Sequence, residues 1–174
     1  YDSRPNVTVT QDNTADILVE NRTVYLEGFN LSGIPQIAHT VGIRYRNPNY
    51  WSLSLNANYF DDIYIDPNPD RRTSLAVDGV SPTEQPELYN SIISQEKFDS
   101  ALTLNFFGSW SKRIKGSYLS FMVGIDNLLD KRDFKTNGFE QLRFDFEGKD
   151  PQRFDSRYYY AFGRIYFISV SYRM

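Results

Sequence analysis

YFISVSYRM, Tyr166–Met174, is the stretch whose reading decides the fold. Tyr166, Ile168, Val170, Tyr172 and Met174 fall on one face, and Phe167, Ser169, Ser171 and Arg173 on the other. A period of two marks a strand lying between unlike surroundings. An apolar and aromatic face opposite a small and polar one is what a transmembrane β-barrel strand needs, with lipid outside and water or polar filling inside. A strand of a soluble β-sandwich is the competing reading.

The same alternation recurs upstream. Val41, Ile43 and Tyr45 oppose Thr40, Gly42, Arg44 and Arg46, and Asn47-Pro48-Asn49 forms a short turn. The return strand, read from Tyr50 to about Ile65, sets Trp51, Leu53, Leu55, Ala57 and Tyr59 against Ser52, Ser54, Asn56 and Asn58. A row of small polar residues suits a wet lumen better than a dry core. Leu102, Leu104, Phe106, Gly108 and Trp110 oppose Thr103, Asn105, Phe107 and Ser109. After a basic turn, Lys112-Arg113-Ile114-Lys115-Gly116, residues Leu119, Phe121, Val123 and Ile125 oppose Ser120, Met122, Gly124 and Asp126. Residues from about 66–96 and 130–160 show no sustained period and read as long loops, the first carrying Pro67, Pro69, Pro82 and Pro86. Residues 1–21 read mostly as loop, with Val7, Val9, Ile17 and Val19 as short alternating fragments, and Thr23–Leu31 is a candidate sixth strand.

Composition narrows the class. No apolar run approaches the roughly 18 residues of a spanning helix, and the mean hydropathy of -0.52 agrees. Barrel strands leave little hydropathy signal. The net charge of -3 argues against a nucleic-acid partner. With no cysteine, a disulfide framework and a thiolate metal site are excluded. Aromatic residues make up 16% of the chain, enough to furnish a membrane girdle or a sandwich core. The start at Tyr1 shows neither an initiator Met nor a signal peptide, so the chain is expected to be processed or a piece of a longer one, the piece being the favoured reading.

Short turns would lie at one end of the sheet and long loops at the other, as in outer-membrane barrels, leaving the C-terminus periplasmic and the long loops extracellular. Tyr45, Trp51, Trp110 and Tyr172 would form an outward girdle at the short-turn end, with Tyr59 and Tyr166 toward the other. The fold class expected is therefore all-β, an antiparallel transmembrane β-barrel segment of about five or six meandering strands. Closed barrels of this kind start at about eight strands, so the segment cannot close alone.

Three runs carry a resemblance: Ile43-Arg44-Tyr45-Arg46-Asn47-Pro48-Asn49-Tyr50-Trp51; Asn58-Tyr59-Phe60-Asp61-Asp62-Ile63-Tyr64-Ile65-Asp66 followed by Asn68-Pro69-Asp70-Arg71-Arg72-Thr73; and Gly124-Ile125-Asp126-Asn127-Leu128-Leu129-Asp130-Lys131. Residues from about 34 to 174 resemble the C-terminal barrel region of TonB-dependent outer-membrane receptors, including the SusC-like importers. One departure is Met174, where barrels of this family usually end on Phe. The resemblance implies a Gram-negative receptor with a barrel of about 22 strands around a plug domain. It also implies non-enzymatic import of a large or scarce nutrient such as a glycan, peptide or metal chelate. The implied partners are outer-membrane lipid, the rest of the barrel and its plug, TonB through an N-terminal part not seen here, and a surface lipoprotein lid. No cofactor is implied. Residues 1–174 would be the C-terminal part of such a barrel. A passive porin-like barrel gives the same alternation, and a soluble aromatic-rich sandwich binding glycans is the alternative from another class.

No catalytic residue is assigned: His39 is the only histidine, without support for a zinc site or a serine triad. Asp61, Asp62, Asp66 and Asp70 lack the EF-hand spacing and read as solvated loop charges rather than a metal site. Asp62, Asp66 and Asp70 with Arg71 and Arg72 are expected to pair and hold a loop root. Ligand-binding candidates in the second long loop are Phe134, Phe139, Arg143, Arg157, Tyr158, Tyr159 and Tyr160, with Phe144, Phe146 and Arg153 nearby. Aromatic faces stack on sugar rings, and arginine clamps carboxylates or phosphates. The competing reading is that these side chains pack the loop against itself. The sequons at Asn6, Asn21 and Asn30 are read as chance matches.

Overall fold

The structure, a computed structural model, describes residues 2–10 and 17–174. Its strands follow the alternation closely. In chain order they are β1 Asp2–Thr10, β2 Ile17–Val24, β3 Ile37–Asn47, β4 Trp51–Asp61, β5 Ala101–Ile114, β6 Ser117–Asp126, β7 Lys135–Phe139, β8 Arg157–Tyr160 and β9 Ile165–Arg173. Two short helices, a 3-10 turn at Pro69–Arg72 and α1 at Pro86–Ile93, lie between β4 and β5. No helix among the described residues is long and apolar enough to cross a membrane.

The chain divides into two compact units. A sheet unit comprises Ile34–Ile63, Lys97–Thr136 and Tyr159–Met174, and a loop unit comprises Tyr1–Gly33, Tyr64–Glu96 and Asn137–Tyr158. In the sheet unit five strands run in the order β3-β4-β5-β6-β9, each antiparallel to its neighbour. The register sets Trp51 opposite Trp110, Trp110 opposite Phe121 and Phe121 opposite Val170. Directly opposed residues share a face. The whole apolar set, from Val41 on β3 to Tyr172 on β9, therefore lies on one side.

The other side carries a polar ladder. Ser52 and Ser109 share a hydrogen bond of 2.7 Å, and Ser111 and Ser120 one of 2.8 Å. Thr40 Oγ1 donates to Asn58 Oδ1 at 3.0 Å, and Asn58 Nδ2 to Thr103 Oγ1 at 3.4 Å. Phe107 and Phe167 interrupt this face, one on each side of Gly124. The β5–β6 connection is tighter than the basic run suggested. Only Lys115 and Gly116 stand between the strands, with φ of 47° and 94°, as a two-residue hairpin turn requires.

Three expectations are corrected. Of residues 1–21, the described ones, 2–10 and 17–21, are strand rather than loop: β1 and β2 pair as an antiparallel ribbon whose register shifts between Arg4 and Val7, where Pro5 cannot donate to the ladder. The loop reading of Tyr1 and residues 11–16 lies outside the described residues. The strand expected over Thr23–Leu31 ends at Val24. The stretch from 66 to 96 is structured, because Ala76, Val80, Ile92 and Phe144 bury one another with Val77, Leu88, Tyr89, Ile93 and Phe146 against them. The second long loop likewise contains β7 and β8, which pair as a two-stranded ribbon.

In the loop unit Asp145 fastens a tight turn: its Oδ1 accepts from Gly148 N at 3.0 Å, and Arg153 Nη1 lies 3.0 Å from its Oδ2. The Gly148 amide first, then Arg153, hold this carboxyl below its ordinary value of 3.8. A depressed carboxylate stabilises the fold above its unfolded pKa, and that contribution is lost as pH falls through the folded value. Protease cutting within 145–153 should therefore rise only below about pH 3.8, and the Asp145→Asn variant should lose that dependence. Separately, Ile92→Ala should cost about 2–5 kcal/mol of loop-unit stability, read as faster amide exchange across α1.

Candidate functional site

The run Asn68-Pro69-Asp70-Arg71-Arg72 builds a buried charge network. Asn68 Oδ1 accepts from Asp70 N at 2.9 Å and Pro69 opens the 3-10 turn, which pulls both arginines inside. Asn68 is fully buried; its N donates to Glu140 Oε2 at 2.7 Å and its Nδ2 to Gln141 O at 2.7 Å. Arg72 grips Glu140 with two nitrogens, Nη1 on Oε2 and Nη2 on Oε1 at 2.9 Å. Such a two-pronged pair is both strong and directional. Arg71 Nη1 adds a contact to Glu140 Oε1 at 3.3 Å.

The two guanidinium groups also finish α1. Arg71 donates to Ser91 O at 2.6 Å, and Arg72 to Ile93 O at 3.2 Å and Ser94 O at 2.8 Å. These carbonyls belong to the last turn and cap, which lack helical donors and carry the negative end of the dipole. Glu140 reaches the arginines because Asp66 N donates to Gly138 O and Glu140 N to Asp66 O, each at 2.9 Å, as a parallel bridge. Asp66 thus contributes backbone, while Asp70 N bonds Asn68 and Asp70 O accepts from Thr73 Oγ1 at 2.9 Å. The carboxylate paired with Arg71 and Arg72 is Glu140, 68 residues downstream of Arg72, rather than the adjacent aspartates. In the sheet unit Asp62 pairs instead with Lys97, which also lies 3.1 Å from Asp61.

Beside this network lies a cavity of about 480 Å³, lined by Arg71, Gln95, Glu96, Glu140, Asp155 and Tyr158 among others. Tyr158 Oη donates to Glu96 Oε2 at 2.8 Å. Burial, working against Glu140, draws the Arg71 guanidinium down from its ordinary value, and Arg71 Nε is buried without a hydrogen-bond partner. The lining combines a donor fork, carboxylate acceptors and amides, so it suits a polar ligand that both donates and accepts hydrogen bonds.

Of the ligand candidates, Tyr158 alone is part of this lining. Phe134 is buried in the sheet unit, its ring 5.7 Å from Phe60. Arg143 lies over Phe154 at 4.6 Å, and Phe139, Arg157, Tyr159 and Tyr160 are exposed. Glu96, Glu140 and Asp155 were not singled out in the sequence; for Glu140 the available signal was an isolated acid beside Phe139 at the end of a short strand. Among the described residues no group of three or more His, Cys, Asp or Glu could hold a metal ion.

In the sheet unit the register brings Tyr45, Trp51, Tyr59, Trp110, Tyr166 and Tyr172 onto the apolar face. Tyr45 and Trp51 rings are 5.2 Å apart, and Trp110 and Phe121 rings 5.5 Å. Trp110 is 41% exposed and Trp51 half-buried. His39 is exposed on β3, its ring stacked 6.4 Å from Tyr59. Asn127 ties the turn after β6, its Oδ1 accepting from Lys131 N at 3.0 Å and its Nδ2 donating to Lys131 O and Phe162 O at 3.0 and 3.1 Å. It does so at φ 50°, a left-handed conformation that asparagine tolerates.

Comparison with protein-family models, curated proteins and solved structures found no match to this chain.

Glu140→Gln should cost the loop unit about 3–5 kcal/mol, because it leaves two buried guanidinium groups without their carboxylate. Limited proteolysis within 66–96 reads this loss. Asp70→Asn should leave the cutting pattern unchanged, since Asp70 bonds through its backbone.

Proposed function

We propose that this chain is the C-terminal part of a TonB-dependent outer-membrane receptor that imports a large or scarce nutrient without enzymatic chemistry. One observation carries the reading. Across all five strands of the sheet an apolar face stands open opposite a serine, threonine and asparagine face, with Val41 75%, Ile43 72%, Tyr166 63% and Ile168 75% exposed. A contiguous apolar surface of this kind is a liability in water and a match for hydrocarbon. Trp51 and Trp110 at the short-turn end suit the boundary between tails and headgroups.

The sheet has two edges, β3 and β9. Lipid tolerates no unpaired backbone edge, so in this reading further strands continue both sides and close a barrel, of about 22 strands as the resemblance implies. The resemblance of the runs at 43–51, 58–73 and 124–131 to the receptor family supports that size and a plug within it. In this mechanism the sheet is rigid wall, and the connections β4–β5 and β6–β9, which join strand ends opposite the short turns, are the extracellular loops. A surface lipoprotein lid would retain the nutrient, and TonB acting on the plug would open the path inward. Arg71 and Tyr158 contribute to capture as hydrogen-bonding groups, with no bond made or broken.

Separating outer membrane from soluble proteins and probing with an antibody against residues 147–156 tests this reading. A detergent-extracted membrane band on the order of 100 kDa is expected, as a plug and a barrel of this size require. A soluble band near the chain's own 20.3 kDa would overturn it.

A further inference from the structure

Along the apolar face of β5, alternate residues read Leu104, Phe106, Gly108, Trp110, Lys112. Strand pairing places Leu53 and Val123 on either side of Gly108, Ile168 beyond Val123, and Trp51 and Phe121 on either side of Trp110. These residues line a groove of about 400 Å³ in which apolar surface is nearly all that is presented. Gly108 is the reason the groove has depth. A Cβ there would stand 3.2 Å from Val123 Cγ1 and 3.5 Å from Leu53 Cδ2, so the missing side chain leaves backbone as the floor.

The strand then changes chemistry in two same-face steps, each roughly 7 Å along the chain. Trp110 stands at the mouth of the groove, its ring 5.5 Å from Phe121. Beyond it Lys112 is exposed, on the same face as Leu119 and Tyr172, and makes no ion pair among the described residues. Apolar dent, aromatic boundary and cation follow one another in the order in which a glycerophospholipid presents acyl chain, ester-linked glycerol and phosphate. Tryptophan favours the ester region, and a lysine stem lies along apolar surface while its ammonium reaches the headgroup plane. We propose that this groove is a binding site for one anionic glycerophospholipid, its acyl chain over Gly108 and its phosphate against Lys112. The proposal rests on the lipid-facing reading of this side of the sheet and adds a defined site and headgroup charge to it.

The charge complementarity distinguishes a site from ordinary lipid solvation. A bulk annulus wets apolar side chains with whatever lipid is present, whereas a fixed cation one step past the groove selects negative headgroups. A protein partner would need polar groups inside the contact to fix its orientation, and the groove presents almost none.

The test uses the full native polypeptide, purified in detergent, stripped of lipid and offered equimolar phosphatidylglycerol and phosphatidylcholine with identical acyl chains. Native mass spectrometry counts what is retained. One phosphatidylglycerol per polypeptide should be held in preference to phosphatidylcholine. Lys112→Glu should cut that preference on the order of tenfold, as reversing a basic charge at an anionic surface implies. Gly108→Leu, which fills the groove, should reduce retention of both lipids while the variant still reaches the outer membrane. Equal retention of the two lipids by the wild type, or retention unchanged in both variants, would overturn the lipid site while leaving a membrane-extracted polypeptide and the receptor reading intact. A polypeptide found in the soluble fraction would overturn both.

Discussion

Register is the constraint on which the sheet depends. A strand slipped by one residue would send its entire apolar set to the opposite side. Every pairing from β3 through β9 avoids this, so that Tyr45 meets Leu53, Leu53 meets Gly108, Gly108 meets Val123 and Val123 meets Ile168. Two turns fix that phase, one after Asn47 and one at Lys115-Gly116, each with a residue at positive φ. Side-chain bonds between Ser52 and Ser109 and between Ser111 and Ser120 hold the same phase from the polar side.

The loop unit obeys a different rule. There a small apolar cluster around Ile92 and Phe144 is supplemented by ionic groups that have been taken out of water. Burying Arg72 is tolerable because each prong of its guanidinium ends on an acceptor: Glu140, Asn68 O, Ile93 O and Ser94 O together. The same bonds relieve the unsatisfied end of α1. Charge neutralisation and helix termination are one arrangement, and the polar cavity stands against it because Arg71 and Glu140 belong to both.

How much of this was legible follows from the range of each signal. The five strands of the sheet could be read because each is nine residues or longer and alternates over most of its length, interrupted only locally, as at Phe107 and Phe167. The β1–β2 ribbon was obscured by Pro5 and by the polar residues around its short apolar fragments. An α1 of eight residues is little more than two turns, too short for its period to rise above its neighbours. Arg71 and Arg72 were visible as a structural pair, but their acid was not, since a partner 68 residues away leaves no local pattern. Tyr158 was legible as an aromatic in a polar setting. Glu96 and Asp155 became site residues only through the fold that gathers them.

That separation also bears on the order in which the molecule comes into being. Synthesis delivers Arg72 well before Glu140, with β5 and β6 lying between them in the chain. Until Glu140 arrives, the arginine cannot enter a dry interior without stranding its charge, and so the segment around α1 stays open to solvent. Closing a loop of this length also costs entropy that only the completed contacts return. The pairs β3–β4 and β5–β6 can form across short turns, whereas the cavity waits for residues from both long connections. Its formation is a late event, and an intact cavity certifies that the strands between its parts have already been laid down.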